Sequence, residues 1–248
     1  DSVKSRGLGD VYKRQDKTVR SGVTIFPGSN CDRDIIVALK NITGKAPIKM
    51  WHKDTEFPNL DLIVIPGGFS FGDYLRCGAL AARSPVIKNI KNHISRGGAV
   101  LGICNGFQIL IEAGILPGSL IRNKKLLFTC RDTMLEIQDT IISPFLSGLK
   151  KEHHLNIPVA HNEGNFFASE ILLNELKNDG RIAFKYIKEV NNDTDYNPNG
   201  SSNDIAGILS KNGRVLGMMP HPERAINNLH GGTDGLKFLT KSFEEIIG

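Results

Sequence analysis

The chain has 248 residues, 40% hydrophobic and 23% charged, enough apolar material to bury a full globular core. Its formal net charge is +5, but the first 20 residues hold six Lys/Arg against three Asp, leaving 25 basic and 23 acidic residues beyond them. No Lys/Arg cluster with interleaved aromatics occurs, which argues against nucleic acid, and no apolar run approaches the roughly 20 residues that span a bilayer.

Residues 1–18 carry no apolar periodicity and lack the apolar core of a signal peptide. They read as a disordered or foreign leader, and 19–248 reads as one domain. Gly22 to Phe26 reads as a buried strand ending at Pro27-Gly28. Asp32 is placed to cap a helix with Ile35, Ile36, Leu39 and Ile42 on one face and Gly44 as its stop. Ala46 to Trp51 is a weaker strand, and Leu60 to Ile65 a stronger one closed by Pro66-Gly67-Gly68. Ser84-Pro85 opens a second helix as cap and first turn, with Val86, Ile87, Ile90 and Ile94 as its stripe and Gly97-Gly98 as its end. Ala99-Val100-Leu101 then leads into Gly102-Ile103-Cys104-Asn105-Gly106 and a further helix.

This alternation predicts an α/β fold, an open and mainly parallel sheet with helices on both faces, of flavodoxin-like type. Ligands of such sheets bind beyond the carboxyl ends of the strands. The second half is less regular. Leu120 to Gln138 reads as hairpin strands, and Asn191 to Asp204 as a polar surface loop. Ile205 to Leu209 and Val215 to Met219 form a hairpin around Asn212-Gly213. Asp234 to Ile246 closes the chain as a helix with Leu236, Leu239, Phe243 and Ile246 inward.

G-x-C-x-G between a strand and a helix is the cysteine form of the nucleophile elbow. A sharp turn there lifts the Cys104 thiol onto the N-terminus of a helix, where backbone N–H groups and the helix dipole favour thiolate. A nucleophile needs a base that is itself oriented. His221 and Glu223, in Pro220-His221-Pro222-Glu223-Arg224, face one side if that segment is extended. An oxyanion then needs two backbone donors. Asn105 N–H supplies one, and the Pro66-Gly67-Gly68-Phe69 turn can supply the other. Cys31, Cys77, Cys104 and Cys130 are widely spaced without C-x-x-C, as expected of reduced thiols in the cytoplasm. No histidine stands at zinc-like spacing from a cysteine, so no metal is assigned. There is no Walker loop and no G-x-G-x-x-G after a strand, so nothing in the chain is built to hold ATP.

Together the elbow, the His-Pro-Glu segment, the block Gly68 to Arg76 and Cys104-Asn105-Gly106-Phe107-Gln108 resemble the class I glutamine amidotransferases. Within that class they look like glutaminase subunits of two-part synthetases in purine synthesis. The resemblance implies that Cys104 attacks the side-chain amide of glutamine, that His221 is base and acid, and that Glu223 orients it. It implies that Gly68 and Asn105 stabilise the oxyanion and that Gln108 holds the amino-acid end of the substrate. It also implies no cofactor on this chain. ATP and Mg would sit on a partner synthetase subunit that receives the ammonia, often with a small bridging subunit. Where that family shows His-Gly-Glu-Gly-Arg and an aromatic, this chain has His161-Asn162-Glu163-Gly164-Asn165-Phe166. Two alternatives remain open at this stage: a stand-alone cysteine hydrolase of the same fold, and a non-catalytic scaffold. Asn105 stands where the former commonly has His, and the intact Cys104, His221 and Glu223 argue against the latter.

Overall fold

A computed structural model of the chain describes residues 19–150, 152–188 and 196–247, so the expected leader lies outside the described residues. The elements run β1 (Ser21–Ile25), α1 (Asp32–Thr43), β2 (Ile48–Trp51), β3 (Leu62–Ile65), α2 (Pro85–Ser95), β4 (Ala99–Ile103) and α3 (Asn105–Glu112). Then come β5 (Ser119–Ile121), β6 (Thr129–Ile137), β7 (Leu155–His161), β8 (Asn165–Phe167), α4 (Glu170–Asn178) and β9 (Ile182–Tyr186). The last are β10 (Ile205–Leu209), β11 (Val215–Met218) and α5 (Asp234–Ile247). No helix among the described residues is long and apolar enough to cross a membrane.

One sheet has the order β2-β1-β3-β4-β11-β10-β9-β6-β7. The strands from β2 through β11 are parallel, and those from β11 through β7 are antiparallel. Every residue of β3 and β4 is buried, which is why both read as unbroken apolar runs. The step from β1 to β2 runs one way across the sheet and that from β3 to β4 the other. Right-handed crossovers therefore put α1 and α2 on opposite faces. α5 packs beside α1. The order reverses between β1 and β3, so their carboxyl ends form the switch-point crevice.

Several expectations are corrected. Asp32 is the first helical residue and Cys31 the cap position, without a side-chain capping bond. Ser84 does stand before Pro85, but its hydroxyl meets His52 Nδ1 at 3.3 Å instead of capping the helix. Leu120 to Gln138 is not a hairpin, because β5 pairs with β8 in a separate two-stranded sheet while β6 lies between β9 and β7. Of the expected surface loop, residues 191–195 lie outside the described residues. Its remainder buries Asn199 and Ser201, whose polar atoms are spent on an internal network. In α5 the inward positions are Phe238, Leu239 and Phe243; Leu236 is half-buried, because the apolar stripe falls on the face that meets β7. The hairpin around Asn212-Gly213 is present as β10 and β11.

The elbow owes its sharpness to Gly106. A Cβ there would lie 1.9 Å from the Ile65 carbonyl oxygen, so the absent side chain is what lets α3 start against β3. Replacing a helical glycine by alanine ordinarily gains up to about 1 kcal/mol of helix propensity. Here the collision with rigid backbone outweighs that gain. Gly106→Ala is expected to destabilise the protein by at least about 3 kcal/mol, read as a lowered midpoint in urea denaturation.

Candidate active site

β4 delivers Cys104 to the carboxyl edge of the sheet with φ 50 and ψ −105. A non-glycine residue holds such a conformation only when its surroundings over-determine it, at a cost of about 1–3 kcal/mol. Here the Cys104 N–H donates to the Met218 carbonyl at 2.8 Å, and its own carbonyl accepts from Gln108 N–H at 3.1 Å. The thiol points toward the Ala160 carbonyl, 3.7 Å away.

β11 lies beside β4 with Met218 paired to Ile103, so the chain leaving β11 arrives next to the thiol. His221 N–H donates to Pro158 of β7 at 2.8 Å, which fixes its backbone. The segment is not extended. Pro222–Arg224 is a single 3-10 turn, and that turn brings Glu223 Oε1 to 2.6 Å from His221 Nδ1. The pair faces together as expected, but through a turn rather than through strand alternation. Both side chains are fully buried, and His221 Nε2 and Glu223 Oε2 have no hydrogen-bond partner among the described residues. Burial pulls the His221 imidazole down, but the Glu223 carboxylate and then Cys104 and Cys31 hold it well above the ordinary histidine range.

Cys104, His221, Gly68 and Gln108 line one cavity of about 530 Å³. Gly67 stands between nucleophile and base; a Cβ there would lie 2.7 Å from His221 Cε1 and 3.4 Å from Cys104 Cβ. Gly68 has φ 133 and bridges to Ser29, so the β1 and β3 loops are tied together at the cavity wall. Asn105 is buried beneath the floor. Its Oδ1 accepts from Ser70 N–H at 3.2 Å, and its Nδ2 donates to Gln108 Oε1 at 2.8 Å and Asp73 Oδ1 at 3.2 Å. Gln108 in turn donates to the Glu163 carbonyl at 2.7 Å, which ties α3 to the turn after β7.

That turn, His161 to Gly164, is part of the cavity. Asn123 Oδ1 accepts from Gly164 N–H at 3.0 Å and from His161 Nδ1 at 3.1 Å, so Nδ1 carries the proton. Asn199 Nδ2 donates to His161 Nε2 at 3.4 Å, because Asn199 Oδ1 already accepts from Ser201. The network fits a neutral ring, and burial together with nearby His221 pushes His161 down to about 4. Two histidines of one site are thereby driven apart in charge.

Cys31, in the Phe26 to Asp32 block after β1, joins the site although no role was expected of it. It lines the cavity, and Arg224 Nη2 donates to its sulfur at 3.1 Å. Cys31, His221 and Glu223 offer ligand atoms within 4.8 Å of one another, but the Arg224 guanidinium already brings a cation to that sulfur. Asp73, Cys77 and Phe128 also line the cavity, contributed by loops whose fold-back has no local signature.

A strained cysteine at a strand–helix elbow shares one cavity with the histidine of a buried His–Glu pair, and comparison with known proteins shows the family. A family model described as the CobB/CobQ-like glutamine amidotransferase domain matches residues 18–233. The phosphoribosylformylglycinamidine synthase subunit PurQ of Zymomonas mobilis is 53% identical over 218 residues, covering 88% of this chain and 95% of that protein. The PurQ subunit of Rhizobium meliloti is 49% identical over 228 residues, covering 92% and 99%. A chain of the solved PurLQS structure from Thermotoga maritima superposes with a TM-score of 0.79 at 38% identity, covering 91% of this chain and 98% of that one. The chain belongs to the glutamine amidotransferases and, within them, to the family of the phosphoribosylformylglycinamidine synthase subunit PurQ.

The two histidines impose opposite pH dependences on stability. His161 falls from an ordinary 6.5 to about 4 in the folded chain, so the unfolded chain takes up its proton first as pH drops. Between those values the fold loses up to about 3 kcal/mol from this group. His221 is raised, so its contribution is complete below its unfolded value and fades as pH rises through its folded one. His161→Asn is expected to flatten the decline in urea-unfolding free energy between pH 6.5 and 4. A decline of unchanged slope would remove His161 from that role.

Proposed function

We propose that Cys104 hydrolyses the side-chain amide of L-glutamine and that the ammonia passes to a separate synthetase subunit. The observation that carries this reading is the 2.6 Å His221–Glu223 contact, buried in the cavity that also holds the Cys104 thiol. His221 Nε2 carries the proton given up by the thiol, and the sulfur attacks the amide carbon. The oxyanion that develops meets the N–H groups of Gly68 and Asn105, donors already fixed in place before reaction. His221 returns the proton to the leaving nitrogen, ammonia departs, and a glutamyl thioester remains. Water, deprotonated by the same imidazole, then releases glutamate. Glu223 holds Nδ1 protonated and steadies the imidazolium in both halves. Gln108, braced between Asn105 and the Glu163 carbonyl, helps hold the amino-acid end of the substrate.

The destination of the ammonia follows from the relatives. Their name is that of a subunit of phosphoribosylformylglycinamidine synthase, and the Thermotoga maritima structure is of PurLQS. In this reading the partner is an ATP- and Mg-dependent synthetase that converts formylglycinamide ribonucleotide to the amidine in de novo purine biosynthesis, with a small bridging subunit beside it. No cofactor is required on this chain. The four cysteines are free, which suits a reducing compartment, and we place the protein in the cytoplasm.

In the reconstituted complex, Cys104→Ala is expected to abolish glutamine-dependent amidine synthesis and leave ammonia-dependent synthesis intact. Equal loss of both would refute the division of labour. Glu223→Gln is expected to fold and to lower glutaminase turnover by about 10²–10⁴-fold, as loss of the carboxylate that orients a base does. Steady-state ammonia release at pH 7 measures this, and wild-type turnover would exclude Glu223 from the mechanism.

A further inference from the structure

Cys31 is a buried thiol that the hydrolytic steps do not use. It stands at the cap position of α1, where Ser, Thr, Asp or Asn ordinarily binds the first helical N–H groups, yet its side chain makes no capping bond. The sulfur turns into the catalytic cavity instead, on a residue 2% exposed. Its hydrogen bonds are already oriented. The S–H donates to Asn30 Oδ1 at 3.2 Å, and the sulfur accepts from Arg224 Nη2 at 3.1 Å. Arg224 is itself held by Asp34 in the first turn of α1, Nε to Oδ2 at 3.4 Å. A sulfur that spends its proton on Asn30 and faces a guanidinium is fixed as an acceptor.

That acceptor stands at the catalytic imidazole. Cys31 Sγ, a His221 ring nitrogen and a Glu223 carboxylate oxygen lie within 4.8 Å of one another. Nδ1 is taken by Glu223 Oε1, so the sulfur can serve only Nε2, which is buried and has no partner among the described residues. Gly67 keeps the approach open: a Cβ there would lie 3.2 Å from Cys31 Sγ and 2.7 Å from His221 Cε1. Burial opposes charge on the ring, whereas Glu223, then Cys104, then a hydrogen bond toward Cys31 favour it. The turn Pro222–Arg224 therefore grips the imidazole from two sides. Glu223 meets Nδ1 directly, and Arg224 holds the sulfur for Nε2.

The reaction creates a need for such an acceptor. Once the Cys104 sulfur has bonded to the amide carbon, it is no longer an anion and accepts hydrogen bonds poorly. The proton it gave up is then on Nε2 and has yet to reach the leaving nitrogen. The same situation returns when water attacks the thioester. A buried imidazolium N–H without an acceptor is costly. We propose that Cys31 is a positioning residue whose sulfur accepts from His221 Nε2–H while the Cys104 sulfur is bonded to carbon, holding the imidazolium between its two proton transfers. No bond to Cys31 is made or broken, and its own proton stays on the thiol. The proposal rests on the glutaminase reading of this cavity.

The test uses the reconstituted complex, L-glutamine, and two variants that separate hydrogen bonding from packing. Cys31→Ser keeps a donor for Asn30 and an acceptor for Nε2, whereas Cys31→Val fills the space of the thiol and accepts nothing. Cys31→Val is expected to lower kcat for ammonia release by about 10-fold, the worth of one hydrogen bond to a charged group, with KM kept within about twofold. Cys31→Ser is expected to recover most of that kcat. Ammonia-dependent synthesis by the same complexes reports their assembly. A Cys31→Val enzyme with wild-type kcat, or a Cys31→Ser enzyme as slow as Cys31→Val, would overturn the proposal. Should Cys31→Val fail to assemble, Cys31→Ala takes its place with the same expectations. A wild-type complex that is active with ammonia yet releases none from glutamine would instead bring down the glutaminase reading itself.

Discussion

Parallel pairing of β4 with β11 is the constraint on which the site rests. The register sets Met218 opposite Ile103, and the hydrogen bond from Cys104 N–H to Met218 O extends that ladder by one residue. A slip of one residue would turn every side chain of β11 to the opposite face and carry His221 away from the thiol. The register is strongly held because β4 and β11 are buried along their whole length. Catalytic proximity is thus a by-product of core packing, and stability and geometry cannot be varied independently there.

Around that pairing the chain arranges unfavourable elements that each need support from elsewhere. Cys104 takes a strained conformation, held by bonds to Met218 and Gln108. A His–Glu pair is buried with two unpartnered polar atoms. His161 is kept neutral by burial and by nearby His221, with Asn123 and Asn199, far from it in sequence, as its hydrogen-bond partners. A fully hydrogen-bonded polar network of this kind rigidifies a core, whereas a half-satisfied one weakens it. Two of the unpartnered buried atoms among the described residues belong to the His–Glu pair, while Asn105, Asn123 and Asn199 near it are hydrogen-bonded. That distribution is expected of a site that leaves hydrogen-bonding capacity for a substrate.

Much of this was legible beforehand. The unbroken apolar runs of β3 and β4, the glycine stop of α1 and the proline start of α2 follow from local sterics and burial, and they fell where expected. The elbow was legible because G-x-C-x-G is itself a steric requirement, visible in the closeness of Gly106 to Ile65. The pairing of β5 was not, since Ser119–Ile121 is three residues long and takes its partner from Asn165–Phe167, across a long stretch of chain. Nor was the burial of Asn199 and Ser201, because polar residues look like surface until their partners are known. The His221–Glu223 contact was anticipated for the wrong reason, as a 3-10 turn replaces the extended segment.

By itself the sequence determined which residues are candidates for chemistry and which local turns present them, because spacing, glycine and proline act within a few residues. It specified a cysteine at a strand–helix turn, an imidazole two residues from a carboxylate, and a glycine-rich loop after a strand. Only the tertiary structure decided which charges face which cavity. The neutral state of His161, the entry of Cys31 beside Arg224 and the convergence of Asp73 with Glu163 all depend on desolvation and on neighbours from other elements. Desolvation is a property of the packed assembly, and no window of sequence contains it.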